Sequence, residues 1–437
     1  MTGRLYLFDD PVARRWEPFA ATRPAGELLF GALLGRERAA RATGLAVQGY
    51  LATRGLEGFT EEGAPPVVSA EALRATVPVV LLSTRYVPPL PARGTEPDPN
   101  LFRVPTEGSD DAVRLEAGGQ TVGWRLPAGW DPEPWFGDPG VDPVRALFSP
   151  AGPALDLRAV EIPGSVLSSL WDLVDHNPDR LVRDLDILFG SEGLEDTLTL
   201  GNLPGVHRIG SGRITADVGV TVDPGAILDT GSGPIHLGTG VRVRPFTHLR
   251  GPALIGPGTT LLGGMFDTVS CGPVCKLRGE IEASVILGYS NKAHDGYLGH
   301  SILGRWVNLG AFTTNSDLKN NYGSVRVSTS DGMVDTGLLK LGVFLGDHVK
   351  TGIGTLVTAG TVIGAGTNIF GGRMPPKWIQ PFSWGIGADL GVHRKDAFLT
   401  TAERAMDRRG VPLTPEHRAF LSELWERSRA TDPEGAE

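Results

Sequence analysis

From about residue 235, aliphatic positions recur at every sixth residue. "LGTGVR", "VRPFTH", "LRGPAL", "IGPGTT" and "LLGGMF" run without a gap from Leu237 to Phe266, and "LGDHVK", "TGIGTL", "VTAGTV" and "IGAGTN" from Leu345 to Asn368. Each six-residue unit predicts one short flat strand and a turn. Three units make a triangular coil whose leading Leu, Ile or Val points inward onto its counterpart one coil away. Glycine is expected at corners that require a positive φ. One coil cannot bury its aliphatic stack alone, so the pattern predicts a solenoid several coils long, with capped ends.

The rhythm lapses at roughly 267–284 and 315–340, where polar sequence such as "NSDLKNNYGSVRVSTSDGMVDTG" intervenes. Insertions of this kind are expected to project from one face. Beyond the repeats, "DAFLTTAERAMDRRG" and "TPEHRAFLSELWERSR" carry helical spacing, with Thr414 as N-cap ahead of Glu416, and predict helices over the last coil's open edge. The first 200 residues read differently. "RLYLFDD" and "VPVVLLS" predict buried strands, "AGELLFGALLGRERAARATG" an amphipathic helix, and "SSLWDLVDHNPDRLVRDLDILFG" a helix, turn and helix. This alternation implies an α/β domain with a mainly parallel sheet. The Pro-, Asp- and Gly-rich stretch 86–155 carries no clear pattern.

Composition narrows the picture. A chain of 437 residues exceeds what one core usually supports, so two domains and a smaller third element are expected. With a net charge of -9, no broad nucleic-acid or anionic-membrane surface is expected, and any phosphate site must be local. The opening "MTGRLYLFDDPVARRW" has no apolar run of signal-peptide length, and no segment approaches 18 uninterrupted apolar residues, so a cytoplasmic protein is expected. The two cysteines, Cys271 and Cys275 in "CGPVC", give neither a disulfide framework nor a zinc ligand set and read as small thiols in a turn region.

The densest ionisable stretch is "GYSNKAHDGYLG", residues 288–299, inside the solenoid. Extended to "GYSNKAHDGYLGHSILGRWVNLGAFTTNSDLKNNYG", and taken with "FSWG" and "FDDPVARRWEPFAATRPAGELLFG", the chain resembles the bifunctional N-acetylglucosamine-1-phosphate uridyltransferase and glucosamine-1-phosphate acetyltransferase family, in its divergent branch of sugar nucleotidyltransferases. The resemblance implies a Rossmann-like nucleotidyltransferase domain over 1–205, a left-handed parallel β-helix over 206–392 and a helical cap over 393–437. It also implies a homotrimer acting on a sugar phosphate, a nucleoside triphosphate and acetyl-CoA, with Mg2+.

On that alignment His294 falls on the catalytic base. Arg250, Lys292, Tyr297, Asn308, Asn315 and Lys319 fall on acceptor positions, and Gly310 and Ala311 lie where acetyl-CoA passes. A histidine near neutral pKa suits removal of a proton from an attacking amine. An equally open reading makes Asn315, Asn320 and Asn321 turn formers, since Asn tolerates left-handed backbone. Where the family places a second lysine, this chain has "GEIEA", and Glu280 or Glu282 would repel a phosphate. In the N-terminal half, Arg14, Arg15, Thr22 and Arg23 are the nucleotide-phosphate candidates and Asp9 and Asp10 the metal candidates, although the family's Gly-x-Gly-Thr loop is missing. Two further readings stay open: an acyltransferase with a degenerate N-terminal domain, and a non-catalytic trimer that binds a sugar nucleotide.

Overall fold

The computed structural model describes residues 3–52, 55–92, 94–96, 111–136, 142–150, 152–190, 203–329 and 332–430. The chain divides into two compact units. The first comprises Met1–Trp16, Arg23–Leu28 and Leu33–Leu170, the second Glu17–Thr22, Leu29–Ala32 and Trp171–Glu437. Among the described residues no helix is long and apolar enough to cross a membrane.

The first unit is built on a six-stranded sheet ordered Val47–Leu51, Arg4–Phe8, Val79–Ser83, Gln120–Leu126, Val113–Ala117, Ala159–Glu161. Successive residues of its central strands face opposite sides. Leu5, Leu7, Val80 and Leu82 enter one core, and Tyr6, Phe8, Val79, Leu81 and Trp124 the other. The expected mainly parallel sheet is in fact mixed. Val79–Ser83 runs antiparallel to Gln120–Leu126, which forms a hairpin with Val113–Ala117 across Gly118 and Gly119, at φ 55° and 72°. Two consecutive positive φ angles are what a tight two-residue hairpin turn requires. That turn lies in the stretch whose sequence carried no pattern.

The helix expected over residues 25–44 is confined to Gly35–Thr43. Ahead of it, a Cβ on Gly26 would meet the Tyr50 ring at 2.7 Å, and Gly31 takes φ 65°. Close approach and left-handed backbone hold that segment out of a helix. The strands expected from "RLYLFDD" and "VPVVLLS" form as Arg4–Phe8 and Val79–Ser83.

In the second unit a parallel β-solenoid of about 10 turns rises around an aliphatic stack that includes Leu228, Val243, Leu261, Leu277, Leu309, Val349 and Ile369. Cys271 and Cys275 are both buried members of this stack and flank the corner at Pro273 and Val274. The helices Asp172–Asp175 and Asn177–Phe189 belong with the solenoid: Asn177 Nδ2 donates to Ser270 Oγ at 3.0 Å, and the Phe189 ring stacks on His236. The expected boundary at residue 205 adjoins 191–202, which lies outside the described residues.

The first lapse in the rhythm is not an insertion. Thr260 pairs with Lys276 and Lys276 with Asn291, so these coils are sixteen and fifteen residues long (276 minus 260, 291 minus 276) rather than three full hexads. Shortened corners erase the repeat in the sequence while the stack continues. The second lapse does project an insertion, with the antiparallel hairpin Arg326–Thr329 and Gly332–Asp335.

Three columns of corners run up the solenoid, tied by backbone hydrogen bonds between coils. One holds Phe246, Gly264, Gly296 and Phe312; a second holds Tyr289, Trp306, His348 and Phe382; a third holds Thr268, Ala283 and His300. Many corner residues with positive φ are therefore not glycines. In the second column stacking offsets the strain: Tyr289 and Trp306 lie 4.4 Å apart and Trp306 and His348 6.2 Å.

The C-terminal helices form as Lys395–Asp407 and Pro415–Ala430, with Thr414 Oγ1 accepting from the His417 amide at 3.2 Å. The first does more than cover an edge. Phe398 packs on Phe382 and His348, while Arg409, just past the helix end, donates to Asn291, so this helix crosses several coils along the second corner column.

Candidate functional site

The carboxyl ends of Arg4–Phe8 and Val79–Ser83 lie side by side in the first unit, where parallel sheets commonly bind ligands. Asp9, Asp10, Ser83, Thr84 and Arg85 occupy those ends, all buried. Asp10 Oδ1 accepts from the amides of Val12 and Ala13 at 3.0 Å, its Oδ2 accepts from Ser83 Oγ at 2.9 Å, and Arg85 Nε donates to both oxygens at 2.8 and 2.7 Å. Asp9 accepts from Thr84 Oγ1 at 2.8 Å and from the Ala25 amide at 3.1 Å. Burial pushes the Asp9 carboxyl up to about 7, against the lowering pull of Thr84, Ala25 and Arg14.

Magnesium asks for near-octahedral, negatively charged oxygen ligands. Both oxygens of Asp10 are engaged by N–H and O–H donors, and both oxygens of Asp9 accept from the Ala25 amide or the Thr84 hydroxyl, so the pair as arranged does not fit that ion. Among the described residues no group of three or more His, Cys, Asp or Glu side chains is placed to hold a metal.

The basic candidates nearby are also engaged. Arg23 forms a two-pronged ion pair with Glu61 at 2.9 and 2.7 Å; Arg23 is buried and Glu61 half-buried. Arg14 pairs with Asp142 and donates to the backbone carbonyls of Asp9 and Ala52. Arg15 sits in the short turn Ala13–Arg15. Thr22, in the second unit, donates its hydroxyl to Phe19 O at 3.2 Å.

The solenoid candidates fall on separate flanks. Between the first and third corner columns runs the strand Tyr297–Gly299, with His294 before it and His300 after it. Tyr297 lies along its own strand over Gly299, where a Cβ would collide with the phenol oxygen. Asn315 clamps Gly299 from the other side: its Oδ1 accepts the Gly299 amide at 3.0 Å, and its Nδ2 donates to Gly299 O and Ser316 O at 3.1 Å. Asn315 thereby stands in for a backbone strand where the insertion leaves an edge.

The Tyr297 hydroxyl reaches Asp317 Oδ2 at 2.7 Å and Glu282 Oε2 at 3.0 Å, and His300 Nδ1 meets the same Asp317 oxygen at 2.7 Å. Lys340 Nζ holds the other oxygen of Glu282 at 3.2 Å. Burial raises the Asp317 carboxyl, yet hydrogen bonds from His300 and Tyr297, helped by Lys340, leave it below the usual carboxylate range. Burial, followed by the two carboxylates, drives the Tyr297 phenol far upward. His300 and Asp317 escaped the sequence reading because Asp317 meets His300 only through the stacking of successive coils, at a spacing of 17 residues. The one signal available was that each lies beside a residue already singled out.

Down the same flank Glu282, Asp267, Arg250 and Asp229 stand one above another in register. Arg250 NH1 pairs with Asp267 at 3.2 Å, and its Nε lies 3.9 Å from Asp229. This flank is dominated by carboxylates and favours a cationic ligand group over a phosphate.

His294 is exposed at its corner, and its backbone carbonyl accepts from Lys292 Nζ at 3.1 Å. Lys292 is 2% exposed and also donates to Arg278 O at 2.9 Å. Burial draws its ammonium down to about 8, against the pull of Asp295 and Glu280. Lys319 donates to Ser324 O at 2.9 Å within the insertion. Gly310 donates its amide to Thr351 O at 3.0 Å, and Ala311 O accepts from the Gly354 amide at 2.8 Å. Asn308 lies on another flank, between the second and first corner columns, where its Oδ1 accepts from Asn291 Nδ2 at 3.4 Å.

Residues 5–90 match the sugar nucleotidyl transferase family. The chain is 36% identical over 95 residues to a bifunctional sugar-1-phosphate nucleotidylyltransferase/acetyltransferase of Sulfurisphaera tokodaii, covering 22% of this chain and 24% of that protein. It is 28% identical over 244 residues to the bifunctional protein GlmU of Acaryochloris marina, covering 46% and 49%, and 35% identical over 86 residues to the GlmU of Methanocaldococcus jannaschii, covering 20% and 21%. The matched segments thus span at most about half of these curated relatives. Residues 5–90 thus carry the match to the sugar nucleotidyl transferase family, and the chain has distant homologues among proteins named bifunctional GlmU.

Proposed function

We propose that the chain is a two-activity transferase of sugar-nucleotide biosynthesis, of the kind that makes UDP-N-acetylglucosamine: residues 1–205 join a sugar phosphate to a nucleoside triphosphate, and residues 206–392 transfer an acetyl group from acetyl-CoA to an amine. The nucleotidyl half is supported by the family match, and Mg2+ enters only as the triphosphate's own counter-ion.

The observation that carries the acyl half is the 2.7 Å contact of His300 Nδ1 with Asp317. A carboxylate on one ring nitrogen fixes the ring and leaves Nε2 to accept a proton. The acceptor amine attacks the thioester carbonyl, the C–N bond forms as the C–S bond breaks, the amine proton passes to Nε2, and coenzyme A leaves as thiolate. The carboxylates of Glu282 and Asp317 draw an amino sugar to this flank by its ammonium group.

The reading with His294 as base rests on a different observation. Phe246, Phe312 and Ile353 are 84%, 63% and 76% exposed, with Phe246 and Phe312 in its corner column and Ile353 next to that column's Gly354. Such an apolar edge suits packing against two further copies in a trimer, which would enclose His294 beside Lys292 and bring Asn308, Lys319, Gly310 and Ala311 of neighbouring chains into one cleft. Because Arg14, Arg23 and Asp10 are engaged within the first unit, acyl transfer alone is the second reading.

Coenzyme A thiol release with glucosamine 1-phosphate and with glucosamine as acceptors tests the acyl half. His300→Ala is expected to lower kcat by at least about 10²-fold, the usual share of a positioned base. An unchanged rate in His300→Ala with a collapsed rate in His294→Ala hands the base role to His294. Pyrophosphate release from a panel of nucleoside triphosphates tests the first activity, and a monomeric mass at micromolar concentration contradicts the trimer.

A further inference from the structure

On the flank that carries Asn308, away from Tyr297 and His300, a cavity of about 260 Å³ lies between the solenoid and the end of helix Lys395–Asp407. Its solenoid wall includes Trp306, Asn291, Asn308 and Lys350, and the helix side supplies Arg404, Arg408 and Arg409. Four cations and two carboxamides thus line one small cavity with no carboxylate among its lining residues, in a chain of net charge -9.

Three of the cations elsewhere on these two helices are paired with carboxylates: Arg418 with Glu403 at 2.7 Å, Lys395 with Glu426 at 2.8 Å, Arg427 with Glu423 at 3.0 Å; Arg429 donates to Pro381 O at 2.8 Å. Among the described residues none of the four cavity cations has a carboxylate partner. Lys350 Nζ donates to Trp306 O at 3.1 Å, and Arg409 donates to Asn291 Oδ1; both acceptors are neutral.

A helix C-terminus favours cations, which accounts for an arginine near residue 408. It does not account for Lys350, which comes from the solenoid and stands in register between Asn308 and Asn368. Burial brings Lys350 down to about 8, and burial draws Arg409 below its ordinary value, with Cys275 opposing and the neighbouring Arg408 adding to the fall, so these cations lie in a partly dehydrated cavity. An anion relieves such a field. The volume lies below the ~300–1,000 Å³ typical of pockets for drug-sized ligands, which favours a small ligand over a whole nucleotide. The aromatic faces of the wall are already stacked on each other, so recognition falls to the charges and the Asn amides.

We propose that this cavity binds a small phosphate ester, of the size of a hexose phosphate, with Arg404, Arg408, Arg409 and Lys350 on the phosphate and Asn291 and Asn308 on hydroxyl groups. The site lies on a different flank from His300 and Tyr297 and is formed wholly by residues of the second unit.

Calorimetric titration of the full chain with glucose 1-phosphate, and with inorganic phosphate, at constant ionic strength tests it. Saturable binding is expected, weakened at least about tenfold in Arg404→Gln/Arg408→Gln, a change of ~1.4 kcal/mol. Both side chains are exposed, and an unchanged thermal midpoint shows that this variant is folded. Arg373→Gln, on the exposed residue that pairs with Asp389, is expected to bind as the parent does. Equal affinity in the parent and the double variant, or no saturable heat with either titrant at millimolar concentration, overturns the proposal.

Discussion

His300 and Tyr297 meet at one atom: the imidazole Nδ1 and the phenol oxygen each lie 2.7 Å from Asp317 Oδ2. A single carboxylate oxygen therefore sets both the tautomer of the histidine and the direction of the tyrosine O–H.

Asp317→Asn replaces that shared acceptor by a weaker one and frees the ring to adopt the other tautomer. The expected result is a fall in kcat of roughly 10²-fold for acyl transfer, with KM little changed, measured by thiol release. Because the Asp317 carboxyl sits below its ordinary value in the folded chain, its contribution to stability is present above pH ~4 and is lost as pH falls through the depressed folded value. Denaturation midpoints of parent and variant are expected to converge below that range.

Gly299 is the residue over which Tyr297 lies. Gly299→Ala sets a methyl group against the phenol oxygen and forces the ring away from Asp317. A loss of about 1–3 kcal/mol is expected, as for other overpacked sites, together with a drop in acyl transfer approaching that of Tyr297→Phe. Full stability and activity in Gly299→Ala would contradict this packing.

Lys292 carries its ammonium into the solenoid, with its ionisation drawn from 10.5 down to about 8. The folded chain then binds fewer protons than the unfolded chain between those values, so this group makes stability rise with pH from about 8 to about 10.5. The penalty present at neutral pH is about 3 kcal/mol, set against the bonds to Arg278 O and His294 O. Lys292→Met is expected to show a flatter stability profile from pH 8 to 10 in urea titrations, whatever its absolute stability.

In the first unit the buried Arg23 pairs with the half-buried Glu61. Arg23→Met removes a two-pronged donor from the half-buried Glu61 carboxylate and is expected to destabilise the fold by about 1–3 kcal/mol, whereas Arg23→Met/Glu61→Met recovers most of that loss. If Arg23 holds triphosphate instead, the double variant recovers its stability while pyrophosphate release stays lost. Thermal midpoints and pyrophosphate assays on the same preparations separate the two roles.

Much of the architecture was written in local periodicity. The six-residue rhythm from Leu237 to Phe266 and from Leu345 to Asn368 required stacked coils, because a leading aliphatic every sixth residue has no other way to leave water. The all-apolar run at Val79–Ser83 required a strand covered on both faces, and Thr414 marked the start of its helix. These are properties of neighbouring residues, and the sequence alone determined them.

Other features depend on residues far apart in the chain. The shortened coils between Thr260 and Asn291 could be seen only once Lys276 was paired on both sides, since contracting a corner destroys the period without touching the inward stack. Asp10 reads as a metal ligand until Arg85 and Ser83 arrive from another strand to take both its oxygens. Asn315 read equally well as ligand or turn former until Gly299 was seen in its grasp. The His300–Asp317 pair exists only because two coils stack, and the cation-lined cavity only because a helix crosses several coils. Local patterning fixes which residues must leave water. Which charges end up face to face depends on chain crossings that no window of the sequence contains, and that was decided by the tertiary structure alone.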